Sequence, residues 1–320
     1  MKRLDGPLEV RILGGGQNWT NIGSLIAMGL SGYFSKLPAG SLVSAVTGDP
    51  GAMAMQAPQR VADGEFHMGF TTPLWYARMA IEGRGPFAEP LPLSVLAVFP
   101  HDDRLAFAVR RETGLRSLHE VREQKYPLRL STPSREMNHP AGWVVEAVLE
   151  RYGITLDDIE SWGGKILHDR PRSQNSPSAV PVDPSFDAVF DEAIMTRRWH
   201  KITTQYDMRF LPLDRDILDG LVEYGMDAGT IAADRLQGVH VDVPAVDFTG
   251  WALICRTDMN EELGYLTAAA IHERHEQISA RFSDRFDGMT APIDMHTIAR
   301  TELPVHAGAQ TYYREHGFLE

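Results

Sequence analysis

At 320 residues and 43% hydrophobic composition, the chain is long enough to bury a substantial core and to form two domains. Its formal net charge of -12 argues against nucleic acid or an anionic membrane as the main partner, but not against a small anion held in a cleft with its own local field. A single cysteine excludes an intramolecular disulfide and any cysteine-rich zinc site.

The opening "MKRLDGPLEV" has two basic residues but no apolar core and no cleavage site, so it does not read as a signal peptide, and the chain as given reads as cytoplasmic. No segment approaches the length of a membrane-spanning helix, and no membrane insertion is expected. Leu8, Val10 and Ile12 alternate with polar residues, which predicts a strand. Trp19, Ile22, Leu25, Ile26, Leu30, Tyr33 and Phe34 then recur at helical spacing. Between them, Gly14-Gly15-Gly16 lets the backbone approach a ligand, and the unpaired N–H groups of the helix's first turn favour an anion. A tight turn without a ligand fits the same glycines. A nucleotide does not fit. The dinucleotide fingerprint needs a third glycine where Asn18 and Trp19 stand, and no lysine lies between Arg11 and Lys36 to complete a phosphate loop.

"SLVSAVT" (41–47) precedes a helix-compatible stretch over 50–64, and "HMGFTT" (67–72) precedes another over 73–83. Three strand–helix repeats favour a parallel sheet. Two apolar runs, 93–99 and 104–110, predict further strands. "YPLRLST" (126–132) predicts a strand, and Pro140 suits the first turn of a helix ending at Gly153. The stretch 168–185, with four prolines and four serines, predicts a long loop. "FDAVFDEAIMTRRW" (186–199) resumes a strand–helix pattern, and "MRFLPL" (208–213) reads as a strand. "GWALICR" (250–256) predicts a strand that buries Cys255 as a structural thiol, and Asp258 with Glu261 predicts a capping-box-like start to a long helix.

Several of these pieces together resemble the solute receptors of TRAP transporters of the TAXI type. They are the glycine turn and helix, "VADGEFHMGFTTP", "RLAFAVRRETGLRSLHEVREQKYPLRLSTPS" and the closing "LPVHAGAQTYYREHGFLE". The chain differs in having Ala307 where that family usually has proline after the histidine, and in the long proline-rich loop. The resemblance implies an α/β, two-lobed type-2 periplasmic-binding-protein-like fold with two hinge crossings, near Leu105 to Arg110 and Phe210 to Asp214. Lobe 1 would be discontinuous, at 1–106 and 213–320, with lobe 2 at 107–212. It further implies a periplasmic location, hinge closure over a ligand in an interlobe cleft, and TRAP membrane subunits as partners.

Strand-end geometry then nominates ligand-binding residues. In the first lobe these are Gly15, Gly16, Asn18, Trp19 and Thr20, with Thr71, Thr72 and Trp75. In the second they are Ser131, Thr132, Ser134, Arg135, Asn138 and His139. Small hydroxyls, backbone N–H groups and an arginine suit a carboxylate. Each has a plainer reading. The tryptophans fit core packing, the serines fit turn and capping duty, and Arg135 fits a solvated loop charge.

His272 and His275 in "HERH" miss the zinc-protease spacing and read as a polar helix face, so no metal site is expected. His101-Asp102-Asp103 reads as a charged, solvent-exposed turn at a crossing, and His306 as structural. Asp187, Asp191 and Glu192 read as charges complementing a helix N-terminus. No Gly-x-Ser-x-Gly elbow or nucleophile–base pair stands out. The first functional expectation is therefore capture of a small carboxylate, without cofactor. The alternatives are a cytoplasmic cofactor-free decarboxylase or isomerase of an aromatic or organic acid, with His139 and Asp191 as its acid–base groups, or a cytosolic ligand sensor.

Overall fold

The computed structural model describes residues 6–33, 36–48, 50–137, 139–169, 183–283, 286, 289–290 and 292–320. In chain order the first elements are β1 (Glu9–Gly15), α1 (Gln17–Ser31), β2 (Leu42–Thr47), α2 (Pro50–Ala62), β3 (Met68–Thr71), α3 (Leu74–Glu82) and β4 (Leu93–Phe99). Next come β5 (Arg104–Arg110), α4 (Leu118–Glu123), β6 (Arg129–Ser131), α5 (Pro140–Arg151), α6 (Leu156–Ser161), β7 (Lys165–Leu167) and β8 (Ala188–Asp191). They are followed by α7 (Arg197–Gln205), β9 (Met208–Phe210), α8 (Arg215–Tyr224), β10 (Ala228–Ile231) and β11 (Val243–Asp247). The chain closes with β12 (Trp251–Arg256), α9 (Glu261–Arg281), α10 (Met295–Ala299) and α11 (Ala307–Glu315).

These elements form a mixed α/β chain with two sheets. Unit 1 comprises Met1–His101, Thr249–Asp284 and Met289–Glu320, and unit 2 comprises Asp102–Phe248 and Arg285–Gly288. The first unit is discontinuous, but its boundaries differ from those read in the sequence. Residues 213–248, expected in lobe 1, lie in unit 2, as does all of β5. The reason is strand pairing. β11 joins β5 antiparallel through Val246↔Leu105, and β10 extends the same sheet beyond β11.

Unit 1 is built on a five-stranded sheet in the order β2-β1-β3-β12-β4. Its first three strands are parallel, as strand–helix alternation demands, while β12 runs antiparallel to both neighbours. The apolar stripe of α1 buries Trp19, Ile22, Ile26 and Leu30 in the main core of the unit, together with Leu266, Ala270 and Ile271 of α9. The helices cross closely at Gly29, where a Cβ would stand 2.7 Å from that of Ala270. The long helix is capped by Asn260, whose side chain accepts from Glu262 N and Leu263 N. Asp258, expected to cap it, instead pairs with Arg256 at 2.7 Å. Cys255 is fully buried in β12, and burial raises its thiol pKa.

Unit 2 carries a seven-stranded sheet in the order β10-β11-β5-β8-β6-β7, with β9 also paired to β5. β6, β7 and β8 are parallel, so their C-terminal ends share one edge. The expected helix start at Pro140 holds, with His139 as the N-cap and Gly153 in a left-handed conformation past the helix end. Most of the proline-rich loop, 170–182, lies outside the described residues, as does Phe34.

Candidate functional site

In unit 1, β1 and β3 are parallel neighbours in register at Ile12↔Met68 and Leu13↔Gly69, so their following turns leave the same end of the sheet. Gly15–Thr20 and Thr71–Trp75 therefore belong to one edge. Gly15 has φ 74° and Gly16 is the N-cap of α1, which has neither a side-chain cap nor an acidic residue in its first turn. The glycines also have a packing role. A Cβ on Gly14 would stand 2.7 Å from Thr20 Cα, so the first turn of α1 rests on the strand end only because residue 14 lacks a side chain. Thr20 Oγ1 donates to Gly15 O at 3.4 Å.

The two tryptophans fit their plainer reading, because Trp19 is 7% exposed and Trp75 is 1% exposed. Trp19 meets Trp251 edge to face at 6.0 Å, but among the described residues its buried indole Nε1 has no hydrogen-bond partner. Such an orphaned donor carries a desolvation cost of about 1–3 kcal/mol. Thr71 and Thr72 are already committed as donors, to Ala54 O at 2.7 Å and to Gly250 O at 3.1 Å. The sequence reading missed Trp251, which stands at the start of β12 on this edge, with His101 stacked against it at 4.6 Å. The signal was available as a tryptophan after the glycine that opens the strand.

Unit 2 gathers a buried polar network at the ends of its parallel strands. Ser131 Oγ donates to Asp169 Oδ1 at 2.5 Å and accepts from Arg198 Nη2 at 3.0 Å. Arg198 Nη1 pairs with Asp191 Oδ2 at 2.6 Å, and both side chains are fully buried. Thr132 is held by its backbone, which donates to Leu167 O and whose carbonyl lies 3.0 Å from His168 Nδ1. Among the described residues its buried Oγ1 has no partner. His139 Nδ1 accepts from Ala141 N, which leaves the ring proton on Nε2, 3.8 Å from Glu192 Oε1.

The remaining candidates fall outside this network. Ser134 Oγ accepts from Glu136 N. Arg135 is exposed and pairs with Glu146 at 3.0 Å. Asn138 lies outside the described residues.

Two sequence expectations are overturned here. The acidic group does not complement a helix dipole, because α7 has no acidic residue in its first turn. Asp187 instead takes a bidentate pair from Arg129, and Asp191 is consumed by Arg198. Nor is His101-Asp102-Asp103 a wholly exposed turn. His101 is 7% exposed and Asp103 is 0% exposed, since the Asp103 carboxylate accepts from the backbone N–H groups of Arg104, Ala193 and Ile194. That carboxylate fixes the 192–196 turn, in which Ala193 adopts φ 62°.

Among the described residues, no group of three or more His, Cys, Asp or Glu is placed to hold a metal, and no helix is long and apolar enough to cross a membrane. Burial raises the pKa values of Tyr76, Cys255 and Tyr313, all buried core members, and of these only Tyr76, which neighbours Trp75, adjoins the strand-end residues above.

Two α/β units with two sheets, each presenting the ends of parallel strands with small hydroxyls and backbone donors, define a class of protein suited to holding a small solute. The chain belongs to the NMT1-like family, whose model matches residues 45–317. Similar solved structures include a TctC solute binding protein from Polaromonas, at 14% identity and TM-score 0.47 over 99% of this chain and 97% of that one. MatC from Rhodopseudomonas palustris with bound malate is similar at 12% identity and TM-score 0.44, over 96% of each chain. A Xanthomonas citri protein bound to chloride ion is similar at 15% identity and TM-score 0.47, over 96% of this chain and 99% of that one. No curated protein matches the chain.

Proposed function

We propose that this protein is a solute-binding receptor that captures a small carboxylate and releases it unchanged, serving transporter membrane subunits of the TAXI-type TRAP class. The observation that carries the reading is two buried polar atoms at parallel strand ends that have no partner among the described residues: Trp19 Nε1 in the first turn of the uncapped α1, and Thr132 Oγ1 after β6. A ligand acceptor at either atom would relieve the desolvation cost of burying it. The first-turn N–H groups of α1 and its dipole supply further attraction for an anion. In this reading Gly15, Gly16, Asn18, Trp19 and Thr20 take the carboxylate, with Trp75 as packing behind them. Thr132 and His139 are the corresponding candidates within unit 2. Ser131 acts through the network it anchors.

The surroundings of Asp191 favour the receptor over the enzyme alternative. Asp191 is fully buried and ion-paired with Arg198, so it is not placed to exchange a proton with a ligand. The test is to follow a panel of small aliphatic and aromatic carboxylic acids by NMR in the presence of the protein. Saturable binding with every acid unchanged supports a receptor. Multiple turnovers abolished by His139→Ala would replace it with an enzyme.

A further inference from the structure

Unit 1 carries a second concentration of titratable side chains that the ligand residues do not use. His272 on α9 has its ring centroid 5.7 Å from that of His275, 5.9 Å from His316 and 4.7 Å from Phe318. Tyr312 of α11 joins them, with its hydroxyl 2.9 Å from His272 Nδ1 and its ring stacked on His316 at 3.9 Å. His296 of α10 meets Phe318 at 5.4 Å.

The proton positions follow from the acceptors. His275 Nδ1 donates to His272 O at 2.5 Å and His316 Nδ1 donates to Tyr312 O at 2.9 Å, so each carries its proton on Nδ1. The Tyr312 hydroxyl, pushed up to about 12 by burial and then by Glu273 and Tyr265, stays protonated and donates to His272 Nδ1. A proton on His272 would therefore remove an acceptor as well as add charge beside two other imidazoles.

The surrounding charges do little to offset this. Glu273 accepts from Tyr33 OH of the α1 end at 2.5 Å, and Glu315 accepts from Tyr265 OH at 2.7 Å. Lys36 lies over the Tyr33 ring, Arg314 donates to Glu320 O, and Asp294 caps the turn that carries His296. Burial and then His275 and His316 lower the His272 pKa, with Glu273 opposing.

We propose that this histidine cluster is an acid-released latch, which holds residues 316–320 on α9 while His272 is neutral and frees them when His272 takes up a proton. The held segment has its own reporters. His316 N, Gly317 N, Phe318 N and Leu319 N donate to Tyr312 O, Arg314 O, Tyr313 O and Tyr313 O respectively. Each proton taken up only by the opened form favours opening about tenfold per pH unit below the free imidazole pKa.

The experiment is residue-resolved amide exchange on the full chain between pH 7.5 and 5, expressed as protection factors to remove the intrinsic pH dependence. Protection of amides 316–319 is expected to fall about tenfold per unit below pH 6.5, while the buried α9 amides of Leu266 to Ile271 keep theirs. His316→Phe, which keeps a ring against Tyr312 but removes an imidazole that disfavours a proton on His272, should flatten the profile, and His272→Gln should flatten it further. Constant protection across the range overturns the latch. So does a fall shared equally by α9, or a profile that both variants leave intact.

Discussion

Replacing Arg198 with methionine tests the buried network of unit 2 most severely. The guanidinium and the Asp191 carboxylate are both fully buried and 2.6 Å apart, and Arg198 also donates to Ser131 Oγ at 3.0 Å. Methionine fills much of the volume but leaves Asp191 without its cation, although the carboxylate keeps the N–H of Glu192 at 2.9 Å. Breaking a buried pair by removing one partner costs about 3–5 kcal/mol, most of it the uncompensated charge. The lost bond to Ser131 adds about 0.5–1.5 kcal/mol. Urea unfolding followed by far-ultraviolet circular dichroism reads this as a lower midpoint. The double variant Arg198→Met with Asp191→Leu should recover most of the loss, because a matched apolar pair escapes the desolvation of both charges. A single variant within about 1 kcal/mol of the parent would refute the assignment of Asp191 as a structural partner of Arg198.

Gly14→Ala should cost about 1–3 kcal/mol and weaken ligand binding with it, because the added Cβ meets Thr20 Cα and displaces the α1 first turn; thermal melts and calorimetry measure the two effects. Trp19→Phe keeps the edge contact with Trp251 while removing the orphaned donor, so ligand affinity should fall roughly tenfold while the ligand-free melt moves little. Arg135→Ala should change stability by less than about 0.5 kcal/mol and affinity less than about threefold, since the side chain is exposed and engaged by Glu146. Burial lowers the pKa of His67 and His306, so their folded forms bind protons less readily than the unfolded chain. Their stabilisation is complete above the ordinary imidazole value and is lost as pH falls through the lowered one, which urea midpoints at pH 7.5 and 5.5 will show as a fall.

Much of unit 1 was legible because its elements announce themselves locally. Alternation in β1, helical spacing in α1 and the repeated strand–helix step fix three parallel strands without tertiary information. Unit 2 was harder. β10 is largely exposed at a sheet edge, and β11 contains Pro244, so neither shows the apolar run that marked other strands, and nothing in the sequence signals that 213–248 pairs with β5. The candidate residues divide the same way. Glycines and hydroxyls after strands could be found by position. Arg198 could not, since it is an ordinary helix arginine until β6 and β8 bring Ser131 and Asp191 to it. Asp103 is similar, because its partners Ala193 and Ile194 lie some ninety residues away.

Calorimetric titration of a small carboxylic acid against its own methyl ester addresses the central claim most directly, because the pair differs chiefly in the anionic group that α1 and its donors are proposed to hold. At least one acid from an aliphatic and aromatic panel should bind saturably at one site per chain, with its ester weaker by tenfold or more. Equal affinity for acid and ester, or no saturable binding by any acid, would contradict capture of a carboxylate.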